Sequence, residues 1–113
     1  MITTDGTKFD YGFFKIATNE GPKAMAGHFH GLLGYHADLR AGHVRYDVTH
    51  LITGHKLFDF KHARDARKFI TEAAKLDWDF DSLERGKAMM MPCLMIALRL
   101  GLLAEARQSD ERL

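Results

Sequence analysis

The stretch Val44-Arg45-Tyr46-Asp47-Val48-Thr49-His50-Leu51-Ile52-Thr53-Gly54-His55-Lys56-Leu57-Phe58-Asp59-Phe60 decides the fold. Two runs rich in β-branched and aromatic residues, 44–51 and 55–60, flank Thr53-Gly54, which is the pattern of a β-hairpin. A three-residue loop Ile52-Thr53-Gly54, with Gly54 left-handed, sets Val48 opposite Phe58 and Tyr46 opposite Phe60 on one apolar face. A two-residue loop would set Val48 opposite Asp59 and Asp47 opposite Phe60, mixing charged and apolar side chains. The three-residue loop is therefore preferred. It leaves Arg45, Asp47, Thr49, Asp59 and Lys61 on the solvent side.

Outward from the hairpin, residues 63–76 have the period of an amphipathic helix. Ala63, Ala66, Phe69, Ile70, Ala73 and Leu76 face inward, and Arg64, Arg67, Lys68, Thr71, Glu72 and Lys75 face outward. In the following Asp77-Trp78-Asp79-Phe80-Asp81-Ser82, the aromatics are expected to plug the core while Asp81 or Ser82 caps the next helix. That helix is expected over 83–106, kinked or restarted at Pro92. Upstream, Met25, Phe29, Leu32, Leu33, His36 and Leu39 recur at three- and four-residue spacing behind Pro22, which predicts a helix over 22–41. Its glycines at 27, 31 and 34 would then share a face closely approached by another element. Asp5-Gly6 is a hairpin signal, and Phe9, Tyr11 and Phe13 alternate, so Phe9–Ala17 is expected to be a strand, with a bulge near Gly12 and Phe13-Phe14. The sum is an α+β domain: a small antiparallel sheet of the N-terminal strand and the 44–60 hairpin, covered by three helices near 22–41, 63–76 and 83–106.

Composition bounds the rest. With 113 residues, 46% of them hydrophobic, the chain has the size and apolar content of one domain, 1–113, with a frayed tail over 108–113. Sixteen Lys and Arg against fifteen Asp and Glu exclude a whole-chain polycation or polyanion. A single cysteine, Cys93, and an N-terminus lacking both a basic start and an apolar run point to the cytoplasm. The most apolar run, 88–98, falls short of the roughly 20 residues that span a bilayer.

Seven histidines fall within His28–His62, but a metal needs ligands converging from one side, and these divide between faces. His36, His43 and His50 are the subset that tertiary packing could still gather; no cofactor is expected. Asp77, Asp79 and Asp81 imitate the start of a calcium loop, yet Ser82 stands where its glycine belongs and Ala88 where its bidentate glutamate belongs. Cys93 sits among Met91, Leu94 and Met95, an apolar setting that makes a thiol inert, and no serine lies in a nucleophile-elbow pattern.

Two surface features remain. Arg45, Lys61, Arg64, Arg67, Lys68 and Lys75 form a basic strip suited to phosphates or an acidic protein face, although Asp65 and Glu72 interrupt it and can pair within it. No helix-turn-helix or RNA-recognition signature accompanies the strip. The last helix is apolar around much of its girth, which makes it either the central core element or an interface, with Met89, Met90, Met95 and Leu102 the candidate contacts of a homodimer.

Tyr46-Asp47-Val48-Thr49-His50-Leu51-Ile52-Thr53-Gly54, followed by Phe58-Asp59-Phe60, Asp65-Ala66-Arg67-Lys68-Phe69-Ile70 and Asp77-Trp78, resembles short proteins of bacteriophages and prophages over about a third of the chain. The shared pattern is structural and carries no active-site residue. The resemblance implies an accessory protein acting on host machinery, a group that includes anti-CRISPR inhibitors of host defence. The function expected is thus a non-enzymatic binding protein that blocks a host protein or nucleoprotein complex by steric occlusion. A nucleic-acid-binding regulator using the same strip is the alternative, and a histidine-based metalloprotein the third.

Overall fold

The computed structural model describes residues 1–102 and the strand Ala106–Gln108. The chain is α+β, and its sheet is an antiparallel meander in which sequence neighbours are spatial neighbours. Strands β1 (Asp10–Thr18), β2 (Gly21–His30), β3 (Leu33–Arg40), β4 (His43–His50) and β5 (Lys56–Phe60) follow in order, and the short β6 (Ala106–Gln108) pairs with β5.

The hairpin register is the expected one where it matters: Tyr46 pairs with Phe60 and Val48 with Phe58. The turn differs in detail. The His50 N–H donates to the His55 carbonyl at 2.9 Å, so the loop has four residues, 51–54, and Gly54 is left-handed with φ 75°. Beyond it Thr49 pairs with Lys56, and the register shifts between Val48 and Thr49. Leu57 is the extra residue of that bulge, which restores the apolar match at Phe58.

The expected helix over 22–41 is instead β2 and β3, joined at Gly31-Leu32 with Gly31 at φ 61°. Spacing by four residues, as in Met25, Phe29 and Leu33, is a multiple of the strand period as well as close to the helical one, so periodicity alone could not separate the two. Within β3, Leu33 and Tyr35 alternate with Gly34, His36 and Asp38, and glycines that weaken a helix become positions of close strand approach. A Cβ built at Gly27 would lie 2.3 Å from the Tyr35 carbonyl oxygen. The N-terminal strand is consequently separated from the hairpin by two strands. Its pairing with β2 runs unbroken from Asp10 to Thr18, without the expected bulge.

Only three residue pairs join β2 to β3, His28–Tyr35, Phe29–Gly34 and His30–Leu33. Past Gly27 the β1–β2 arm leaves the sheet plane. Phe14 reaches Gly27, Gly34 and the His36 ring, and the Ala17 N–H donates to the Gly54 carbonyl at 2.8 Å.

Helix α1 (Ala63–Ala73) packs on the face carrying Leu33, Tyr35, Val48, Phe58 and Phe60, with Phe69 against both Phe58 and Phe60. Fully burying side chains of this size contributes roughly 2–3 kcal/mol each before chain entropy is counted. The expected 83–106 helix is two pieces, α2 (Leu83–Ala88) and α3 (Met90–Arg99), meeting at Met89. Pro92 lies in the first turn of α3, where its missing N–H costs no intrahelical bond. The helical path ends before Gly101, at φ 73°, and Ala106 belongs to β6. The tail expected to fray lies, past Gln108, outside the described residues.

The acidic-aromatic turn behaves as its pattern suggests. Trp78 and Phe80 are buried, the Trp78 Nε1–H donates to the Ala73 carbonyl at 2.7 Å, and Ser82 caps α2 by accepting the Arg85 N–H. No helix among the described residues is long and apolar enough to cross a membrane.

Candidate functional site

Arg64, Arg67, Lys68 and Thr71 recur every three to four residues and so share one face of α1. Opposite them lies the N-terminal segment, folded back by the Asp5-Gly6 turn: Ile2 bridges to Lys8, and Gly6 takes φ 90°. Between the two runs a cleft of about 560 Å³, lined by the four α1 residues and by residues 1–5. Thr3, Thr4 and Thr71 belong to this lining, the Thr71 hydroxyl donating to the Arg67 carbonyl at 2.9 Å and the Thr3 hydroxyl to Asp5. Three cationic side chains and one carboxylate, Asp5, thus line the cleft, and the Thr3 hydroxyl and the Thr7 N–H bind that carboxylate and hold it below the usual carboxylate range. Arg64 is exposed, with Asp65 no closer than 3.8 Å, and Lys68 is exposed. Arg67 is half-buried, donating from Nη1 to the Tyr35 hydroxyl at 3.0 Å, which fixes its guanidinium at the cleft. A fixed guanidinium beside two exposed cations suits an anionic group.

The other members of the expected strip do not join this cleft. Lys75 lies past the C-terminus of α1, bonded to Glu72 at 3.2 Å, about 16 Å along the helix axis from Arg64. Lys61 is exposed ahead of α1. Arg45 belongs to the opposite face of the sheet, where its Nε–H donates to Asp59 at 2.7 Å.

That opposite face corrects the expectation of a solvent side. Asp47, Thr49 and Asp59 are buried, at 6%, 1% and 1% exposure. Asp47 and Asp59 are direct cross-strand partners, and like charges so placed repel unless cations intervene. Arg40 bonds to Asp38 and Asp47 and reaches Asp59 at 3.3 Å, while Lys56 reaches Asp59 at 2.6 Å. His36 sits 3.8 Å from Asp47, and burial pushes its pKa down against the pull of that carboxylate. The charges balance, which makes this cluster a means of holding strands together rather than a site with charge to offer. The signal was in the sequence, because the expected register already placed Asp47 opposite Asp59.

His36, His43 and His50 are not brought together. His50 lies on the α1 face, where its Nε2–H donates to the Trp78 carbonyl at 2.7 Å and its Nδ1 accepts from Thr53 at 2.9 Å. Burial lowers its pKa. His36 is on the other face and His43 is exposed at the start of β4. Among the described residues no three of His, Cys, Asp and Glu are grouped to hold a metal. The Cys93 thiol is enclosed in the core, and burial pushes it up to about 12.

Of the candidate dimer contacts, Leu102 is a core residue at 5% exposure, and Met89 and Met90 pack against the core. The core uses Cys93, Ile96 and Ala97 of α3, so the helix does face inward; its exposed stripe is Met91, Met95 and Leu98. No known protein family, curated protein or solved structure matches the chain.

Proposed function

We propose that the chain is a non-enzymatic binding protein, a phage or mobile-element accessory factor of the cytoplasm, that engages an anionic surface of a host protein or nucleoprotein complex and blocks it sterically. The observation that supports this reading best is the convergence of Arg64, Arg67 and Lys68 on one cleft. A solvated helix face has no need of a concave partner, and here the N-terminal segment supplies one. Arg67 is pre-ordered by Tyr35, so less side-chain freedom is lost when an anion arrives. The resemblance of the hairpin and α1 to phage proteins supports the accessory role, and anti-CRISPR-like inhibition falls within it. The test is a pull-down from bacterial lysate with the wild-type chain and with the double variant Arg64→Glu/Lys68→Glu. A partner retained by the first and lost by the second is the expected result. The same captured set with both would overturn the reading.

A further inference from the structure

Arg67 ties the cleft to the sheet through the Tyr35 hydroxyl. Tyr35, which holds Arg67, belongs to a row of rings crossing four strands: Tyr11 of β1, His28 of β2, Tyr35 of β3 and Tyr46 of β4. Successive ring centroids are 4.9, 5.4 and 6.4 Å apart. Core packing accounts for Tyr35, which is enclosed, but not for the outer end of the row. Tyr11 is 67% exposed, and Phe13, two residues further and so on the same side of β1, is 77% exposed. The row also lies in the field of the cations: burial first, then the Met1 ammonium and the Arg67 guanidinium, hold His28 below the ordinary imidazole range.

The geometry points to a binding site for single-stranded nucleic acid, with phosphates held at Arg64, Arg67 and Lys68 and bases stacked on Tyr11 and Phe13. This names the anionic partner of the function proposed above and rests on that reading. A single strand alternates charged phosphates with planar rings, and here the cations of a groove connect, through Tyr35 and His28, to the exposed rings of β1, the combination that such a strand uses. Every base has a stackable face, so this mode tolerates sequence. A duplex hides those faces and can use only the cations.

Fluorescence anisotropy tests this with labelled deoxythymidine and uridine oligomers of about ten nucleotides and a duplex of equal length. The oligomers are expected to bind, and the duplex more weakly. Tyr11→Ala and Phe13→Ala should each weaken oligomer binding by about 5- to 150-fold and leave its salt dependence unchanged. Arg64→Ala with Lys68→Ala should instead reduce the slope of log affinity against log salt by about 1.4. All four side chains are exposed, so the variants retain the fold, as circular dichroism will show. Absence of oligomer binding, or binding indifferent to both ring substitutions, overturns the inference. If a lysate partner sensitive to Arg64→Glu/Lys68→Glu is then still captured, the function proposed above stands without it; if none is, both fall.

Discussion

Substituting Gly27 by alanine tests the assignment of β2 and β3, because the two possible folds of that segment give effects of opposite sign. In a helix over 22–41, replacing an interior glycine by alanine stabilises by up to about 1 kcal/mol. In the sheet the new Cβ would lie 2.3 Å from the Tyr35 carbonyl oxygen, about 1 Å inside ordinary contact, and 3.0 Å from the Phe14 ring. Phe14 can rotate, but Tyr35 is the backbone of the neighbouring strand and cannot give without opening β2 from β3. Those strands share only three residue pairs, and Gly27 adjoins the first of them. Overpacking of this kind costs about 1–3 kcal/mol. A loss of about 2 kcal/mol in a chain of this length lowers the thermal midpoint by roughly 8 °C. Gly86→Ala is the companion: it lies inside α2, with the Phe80 ring 4.0 Å away, and should raise the midpoint by a few degrees. Thermal unfolding followed by circular dichroism reads both. A Gly27→Ala midpoint equal to or above wild type refutes the strand assignment and the bend built on it.

Two further outcomes follow from the buried polar groups. His36 and His50 are both held below the ordinary imidazole range, burial being the first cause in each. Unfolding frees them to take protons, so their contribution to stability is fully present above about pH 6.5 and is lost as pH falls from there through their folded values. Urea midpoints should be lower near pH 5.5 than near pH 7.5, with His50→Gln removing part of the difference; a wild type equally stable at both would refute this. Asp59→Asn leaves Arg40, Arg45 and Lys56 without the carboxylate they enclose. Breaking a buried ionic group costs about 3–5 kcal/mol, and because Arg40 and Lys56 remain about a third exposed the lower end is expected. Chemical denaturation measures it, and a loss below about 1 kcal/mol would show that the cluster contributes little.

The hairpin, α1, the plugging aromatics and the Ser82 cap were legible because each rests on local chemistry: alternation around a left-handed glycine, a 3.6-residue stripe, a hydroxyl three residues ahead of an N–H. The segment 22–41 was not, since its apolar spacing satisfies both periods and only pairing with β1 and β4 selects the strand. The site divides similarly. Arg64, Arg67 and Lys68 share a face by spacing alone, whereas Arg45 was assigned to that surface because pattern gives a strand's two faces but not what covers them.

What the sequence by itself determined is therefore the set of local elements and the position of the cations on α1. What only the tertiary structure decided is which surfaces meet: the N-terminal turn against α1, which makes a strip into a cleft, and the β1–β2 arm across the second face of the sheet. Both depend on contacts between residues far apart in the chain. Closing such contacts costs chain entropy that is recovered only when the whole packed arrangement forms, so no short window of sequence encodes them. Tyr11 and Tyr46 lie 35 positions apart in sequence, yet strand pairing places them in one row of rings beside Arg67.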